Sequence, residues 1–225
     1  MHGKRYQELT KLVDRKKMYS PEEAVSLVCK TSGVNFDASL EAHVRLGINA
    51  TKGEQGVRGT AVLPNGAGKK LRVAAFVGQN KESEAREAGA DLFGGEELVG
   101  EIAASGKINF DVAVATPDMM PKLAKIAKIL GPKGLMPNPK TDTVGVNVKK
   151  MVEELKRGKI TFKNDDSGNV HVAVGKISFG PEKLTENLKA FLEVLRKSKP
   201  ATSKGTFIKN VSVSSSMGPG IKVAL

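Results

Sequence analysis

Ser214-Ser-Ser-Met-Gly-Pro219 holds the residue types best suited to an intermolecular contact. Three hydroxyls precede a flexible apolar side chain, and then a glycine leaves bare backbone. Hydroxyls and backbone N–H groups bond phosphate oxygens or a ribose 2′-OH, and a glycine at 218 removes the obstacle to close approach. The same residues serve equally well as a turn that ends a strand, and chemistry alone leaves the two readings level.

Other candidates for chemistry are weaker. Gly66-Ala-Gly-Lys-Lys70 resembles part of a phosphate-binding loop, but it lacks the first glycine and the hydroxyl after lysine, and it precedes a strand instead of following one. Gly78 and Gly89 do not form a dinucleotide fingerprint. His2, His43 and His171 have no metal-ligand spacing, so neither a metal nor another cofactor is expected. Asp165-Asp166 stands among Asn, Ser and Gly, which points to a turn. No Ser-His-Asp arrangement emerges, and a catalytic residue is not assigned. The single cysteine, Cys29, rules out an intrachain disulfide and reads as a buried structural thiol.

These positions must be carried by regular elements. Residues 4–17 read as a basic amphipathic helix, and Ser20-Pro-Glu-Glu23 starts a second with a cap, a first-turn proline and acids at the dipole. Leu40 to Ile48 alternates apolar and polar residues, the period of a half-buried strand. Its polar set includes His43 and Arg45, and His171 holds the corresponding place on a later strand, so these could line one exposed sheet surface. Phe36 stands beside a turn ahead of that strand, either as core filler or as a stacking platform.

From Leu71 the pattern changes to apolar strands alternating with helices, the mark of a parallel sheet covered on both faces. One of those helices, 119–130, carries Lys122, Lys125 and Lys128 on one face. After Gly158 the alternation stops. Strands at 159–163 and 170–174 read as a hairpin around Asn164–Asn169, followed by a helix over 181–199 and strands at 205–216 and 221–225. The expected fold is therefore an α+β terminal domain with an antiparallel sheet, made of residues 1–67 and 159–225. An inserted α/β domain with a parallel, Rossmann-like sheet spans 68–158.

The net charge of +12, with only 4% aromatics and no tryptophan, favours a polyanionic partner, nucleic acid before an anionic membrane. Residues 69–158 hold 15 basic against 12 acidic residues and the remainder 21 against 12, so the terminal segments carry +9. No acid occurs from Arg196 to Leu225. The polyanion should lie chiefly on the terminal domain. The polar opening and the lack of a long apolar run point to a cytoplasmic chain with no membrane partner.

Ile129-Leu-Gly-Pro-Lys-Gly-Leu-Met-Pro-Asn-Pro-Lys140 is a shaped loop, because three prolines and two glycines exclude helix and strand. Together with Val57-Arg-Gly-Thr60 and Ser215-Ser-Met-Gly-Pro219, it makes the chain similar to the bacterial branch of the L-one family of large-subunit ribosomal proteins. The similarity runs from His2-Gly-Lys-Arg-Tyr6 to the C-terminus.

The resemblance implies a discontinuous first domain that grips the stalk region of large-subunit rRNA, an influence on exit-site tRNA release, and repression of the protein's own operon mRNA. It implies a structural protein without catalysis, monomeric off the ribosome. It places the family's aromatic contact on Phe36 and the hydroxyl-Met-Gly triplet on Ser216, Met217 and Gly218. Ser214, Ser215, Arg45, His43 and His171 accompany them as candidates. Serines stand at 215 and 216 where the family commonly has threonines. Lys133 and Lys140 belong either to a second RNA or tRNA contact or to a loop that sets the angle between domains, the latter preferred. The competing classes are a nucleotide-using α/β enzyme with a basic accessory domain, and a DNA-binding regulator.

Overall fold

The structure, a computed structural model, describes residues 3–50 and 53–224. His2 and Leu225, which the sequence reading had used, lie outside the described residues. In chain order the elements are α1 (Lys4–Lys11), α2 (Pro21–Lys30), β1 (Ser39–Leu46), β2 (Arg58–Val62), β3 (Val73–Phe76), α3 (Glu82–Glu87), β4 (Leu92–Gly94), α4 (Glu96–Ser105) and β5 (Val112–Ala115). There follow α5 (Met120–Leu123), α6 (Ala127–Leu130), α7 (Val148–Lys156), β6 (Lys159–Lys163), β7 (Asn169–Lys176), α8 (Pro181–Lys197), β8 (Ile208–Ser215) and β9 (Ile221–Val223). They form two compact units, residues 1–68 with 160–225, and residues 69–159.

In the first unit a four-stranded sheet has the order β7-β1-β8-β9, with each described neighbour antiparallel. Alternation in β1 sends Leu40, Ala42, Val44 and Leu46 to one side, where all are buried. Val170, Val172, Val174, Val211, Val213, Ile221 and Val223 join them beneath α2 and α8, which contribute Val25, Val28, Leu184, Leu188 and Phe191. Burying each such aliphatic side chain stabilises by roughly 1.5–3 kcal/mol, which is why the helices stay on this face. The helix starts match their sequence signals. Ser20 accepts from Glu23 N–H and Glu23 reaches back to Ser20 N–H, a complete capping box. Asn187 is a fully buried polar group. Asn187 on α8 donates to the carbonyls of Gly66 and Val174 and accepts from Asn65 N–H, so it ties the helix to β7 and to the loop after β2 with no bond wasted.

Three expectations for this unit are corrected. The strands at 159–163 and 170–174 are not a hairpin. β6 pairs with β2 in a separate two-stranded sheet, and among the described residues an isolated bridge, Asn164 to Val170, links it towards β7. Asp165 caps the intervening turn, accepting from the backbone N–H groups of Ser167 and Asn169. The partner of β6 is chosen by packing, because Gly59 on β2 lies against the Phe162 ring so closely that a Cβ there would approach within 2.9 Å. Second, the first helix ends at Lys11. Third, Cys29 is half-buried; burial still pushes its thiol pKa up.

In the second unit β4-β3-β5 form a parallel sheet. Ala74, Phe76, Ala113 and Ala115 face a cluster with Val99, Ile102, Leu123 and Ile126, while Val73, Ala75 and Val114 face Val148, Val152 and Leu155. Both faces are covered, as strands apolar on both sides require. The helix expected over 119–130 is broken: α5 and α6 are joined by a 3₁₀ turn at Ala124–Ile126. Lysines three apart remain aligned through such a turn, where positions i and i+3 eclipse. No described helix is long and apolar enough to cross a membrane.

Candidate nucleic-acid interface

The side of the four-stranded sheet opposite the helices is polar. Residues paired across neighbouring strands share a face, and the register arranges this one in rows. Ala173, Glu41 and Ser214 form one, His171, His43, Ser212 and Lys222 the next, and Asn169, Arg45 and Asn210 a third. Arg45 is exposed. At the centre the His43 and His171 Nδ1 atoms are 2.8 Å apart, so one ring donates to the other. His43 Nε2 is 3.1 Å from Ser214 Oγ and 3.8 Å from Glu41, and His171 Nε2 is 3.6 Å from Asp165. Burial pushes the His43 pKa down, and the neighbouring His171 adds to that, against a smaller opposing pull from Glu41. Hydrogen bonds from Asn169, led by its backbone N–H, lower the Asp165 carboxyl and keep it an anion beneath the pair.

One end of the sheet is built from the start of β1 and the end of β8. Ser39 N–H donates to Ser216 Oγ at 3.2 Å and Ser216 N–H donates to Ser39 O at 3.1 Å, so the two chain segments are locked together there. Lys176 on β7 adds bonds to Ser39 Oγ and Asp37 O, and Ser178 holds the Asp37 carboxylate through its N–H and hydroxyl. Two apolar side chains leave this braced end for solvent, Phe36 at 56% exposure and Met217 at 71%. Large apolar groups left in water on a rigid mount are the informative exception to burial.

The turn after β8 closes with Gly218 N–H donating to Ser215 O at 2.8 Å. Met217 sits in it at φ 63°, a left-handed conformation that a non-glycine residue rarely adopts. Its side chain is left to solvent in this conformation. Ser215, a sequence candidate for contact, is 2% exposed and its Oγ has no hydrogen-bond partner among the described residues. It is a packing residue under the turn and presents nothing to a ligand. Ser214, Ser216, Gly218, His43 and Arg45 are brought together with Met217 on one sheet or its end; Phe36 leaves that same end. Glu41, Ser39, Lys176 and Lys222 belong to the face too, and sequence reasoning passed over them. For Glu41 and Lys222 the signal was present, since both occupy polar positions of alternating strands.

Lys133 and Lys140 lie in the second unit and both are exposed. Asn138 accepts from Lys140 N–H, and Thr143 Oγ1 accepts from Asn138 N–H and donates to its carbonyl, so the loop is pinned from within. Among the described residues no cluster of three or more potential metal ligands occurs.

By fold, then, the chain joins an α+β unit with an open polar sheet face to a small parallel α/β unit. Residues 28–219 match the ribosomal protein L1p/L10e family. A large ribosomal subunit protein uL1 of Macrococcus caseolyticus (strain JCSC5402) is 52% identical over 221 residues, 98% of this chain and 95% of that protein. The chain belongs to the ribosomal protein L1 family.

Proposed function

We propose that the protein is an rRNA-binding component of the large ribosomal subunit, and that its polar sheet face and the end carrying Phe36 and Met217 form the contact. The observation that carries this is the pair of exposed apolar side chains on a hydrogen-bonded mount at the edge of an uncovered polar surface. Phe36 offers a ring on which an unstacked base can lie, and base–aromatic stacking contributes about 1–3 kcal/mol. Ser216, Gly218 and the backbone of the turn offer donors and open space for a sugar edge. Arg45, Lys176 and Lys222 supply positive charge for phosphates. The partner in this reading is the stalk region of the large-subunit rRNA. The resemblance extends it to exit-site tRNA and to the protein's own operon mRNA, bound as a mimic of the rRNA site and so repressed. The protein would work in the cytoplasm, as part of the ribosome and without catalysis, and would be monomeric away from it. Lys133 and Lys140 take no part in the rRNA contact.

Competition tests the reading. Labelled stalk RNA bound to the protein should be displaced by unlabelled stalk RNA and not by an equal excess of DNA of the same length and sequence. Equal displacement by DNA would contradict recognition through the 2′-OH.

A further inference from the structure

Lys222 pairs in register with Ser212, so it projects from the same polar face as His43 and Ser214. There, at the β9 edge, α1 and the chain following it border a cavity of about 490 Å³ lined by Tyr6, Thr10, Val13, Arg15, Pro219, Gly220 and Lys222. It begins two residues beyond Met217. The lining offers an aromatic ring, a hydroxyl, two cations and no acid. Among the described residues neither Arg15 nor Lys222 has an ion-pair partner, so both charges are available to an anion. A Cβ built on Gly220 would meet nothing within 4 Å, and its φ is not left-handed, so this glycine leaves room that a side chain could fill without backbone strain. The volume lies within the roughly 300–1,000 Å³ that small-molecule sites span.

We infer that this cavity receives one unstacked nucleotide of the bound RNA, its base against Tyr6 and its phosphate between Arg15 and Lys222. The inference rests on the RNA-binding reading of the adjoining face and extends it round the β9 edge. Specific RNA recognition favours bases splayed out of the helix, and a ring and two cations in one lining meet both parts of such a nucleotide. The neutral lining at Val13 and Pro219 suits the base, and Lys222, paired with Ser212, belongs to the sheet side. It also gives α1 a purpose beyond covering an edge, since Lys4, Arg5, Lys11 and Lys16 are exposed along the same segment.

The test is a double-mutant cycle between RNA and protein. Stalk RNA carrying a single abasic nucleotide at each unpaired position in turn is titrated against the wild type, Tyr6→Leu and Gly220→Leu. Tyr6→Leu removes the ring, and Gly220→Leu fills the cavity while keeping it. At one position the abasic change should weaken wild-type binding about tenfold, the scale of one lost base–aromatic stack, and weaken binding of either variant less than twofold. Arg15→Gln should lower the salt slope by about one. Abasic costs equal in all three proteins at every position, with intact RNA still bound tightly, would overturn the nucleotide site and leave the rRNA reading standing. Failure of the wild type to bind intact stalk RNA would overturn both.

Discussion

Ser215 Oγ occupies the space that a side chain at position 218 would need: a Cβ built on Gly218 overlaps it. Ser215 is 2% exposed and packed under the turn, so its hydroxyl has little room to move aside. Gly218→Ala should therefore cost about 1–3 kcal/mol of stability through overpacking. Ser215→Ala should be neutral or stabilising by about 1 kcal/mol, because it removes a buried unsatisfied group. The double variant should recover most of the Gly218→Ala loss. Urea unfolding of the four proteins measures the cycle, and additive effects would show that the overlap is relieved elsewhere.

Met217 is held at φ 63°, which costs a non-glycine residue about 1–2 kcal/mol. Met217→Gly should stabilise the fold by up to about 1 kcal/mol, since relief of strain outweighs the added freedom of the unfolded chain. RNA affinity should fall at the same time. Strain kept at a contact is expected only where the contact needs it. A variant that is less stable yet binds RNA as well as the wild type would contradict this.

Much of this architecture was legible in the sequence. The alternation of Leu40, Ala42, Val44 and Leu46 against Glu41, His43 and Arg45 fixes which face of β1 is buried, and Ser20 with Glu23 fixes where α2 starts. The apolar runs at 73–76 and 112–115 announce strands covered on both sides. Strand partners were not legible. Asn164–Asn169 has the composition of a hairpin turn and does make a tight turn, yet β6 turns to β2, a choice made by the Phe162 ring on Gly59, about a hundred residues away in sequence. At the interface, the Ser-Met-Gly stretch was visible as residue types. The burial of Ser215 continues the alternation of Val211 and Val213 onto the core face, a signal that the run of three serines masked. The cavity beside Lys222 needed α1 brought to the β9 edge, which no local pattern encodes.

His43 is half-buried beside His171, and its pKa lies below the ordinary 6.5. The unfolded chain therefore takes up a proton at this residue at higher pH than the folded one does. The contribution to stability is present above pH 6.5 and is lost as pH falls through the folded value below it. Between pH 7.5 and 5.5, where carboxylates stay ionised, the urea midpoint of the wild type should drop more than that of His43→Gln. Equal drops would mean that the pair does not resist protonation.

The exposed lysines of the proline-rich loop are expected to be bystanders to the rRNA contact. Lys133→Ala with Lys140→Ala should leave affinity for stalk RNA, and its dependence on salt, unchanged. A fall of one or more in the slope of log affinity against log salt would instead mean phosphate contacts by this loop.

The most direct test of the central claim is binding of the protein to the rRNA stalk fragment, against a scrambled duplex of equal length, over a salt series. The Ser216→Val, Met217→Ala variant runs alongside. Val puts a methyl where the hydroxyl stands and adds a second, and it loses the oxygen that receives Ser39 N–H. The stalk fragment should win by orders of magnitude, and the variant should lose mainly that excess while keeping the weak, salt-sensitive binding that a charge of +12 gives any polyanion. Equal affinity for both RNAs, a steep salt slope and an indifferent variant would contradict the assignment of the interface.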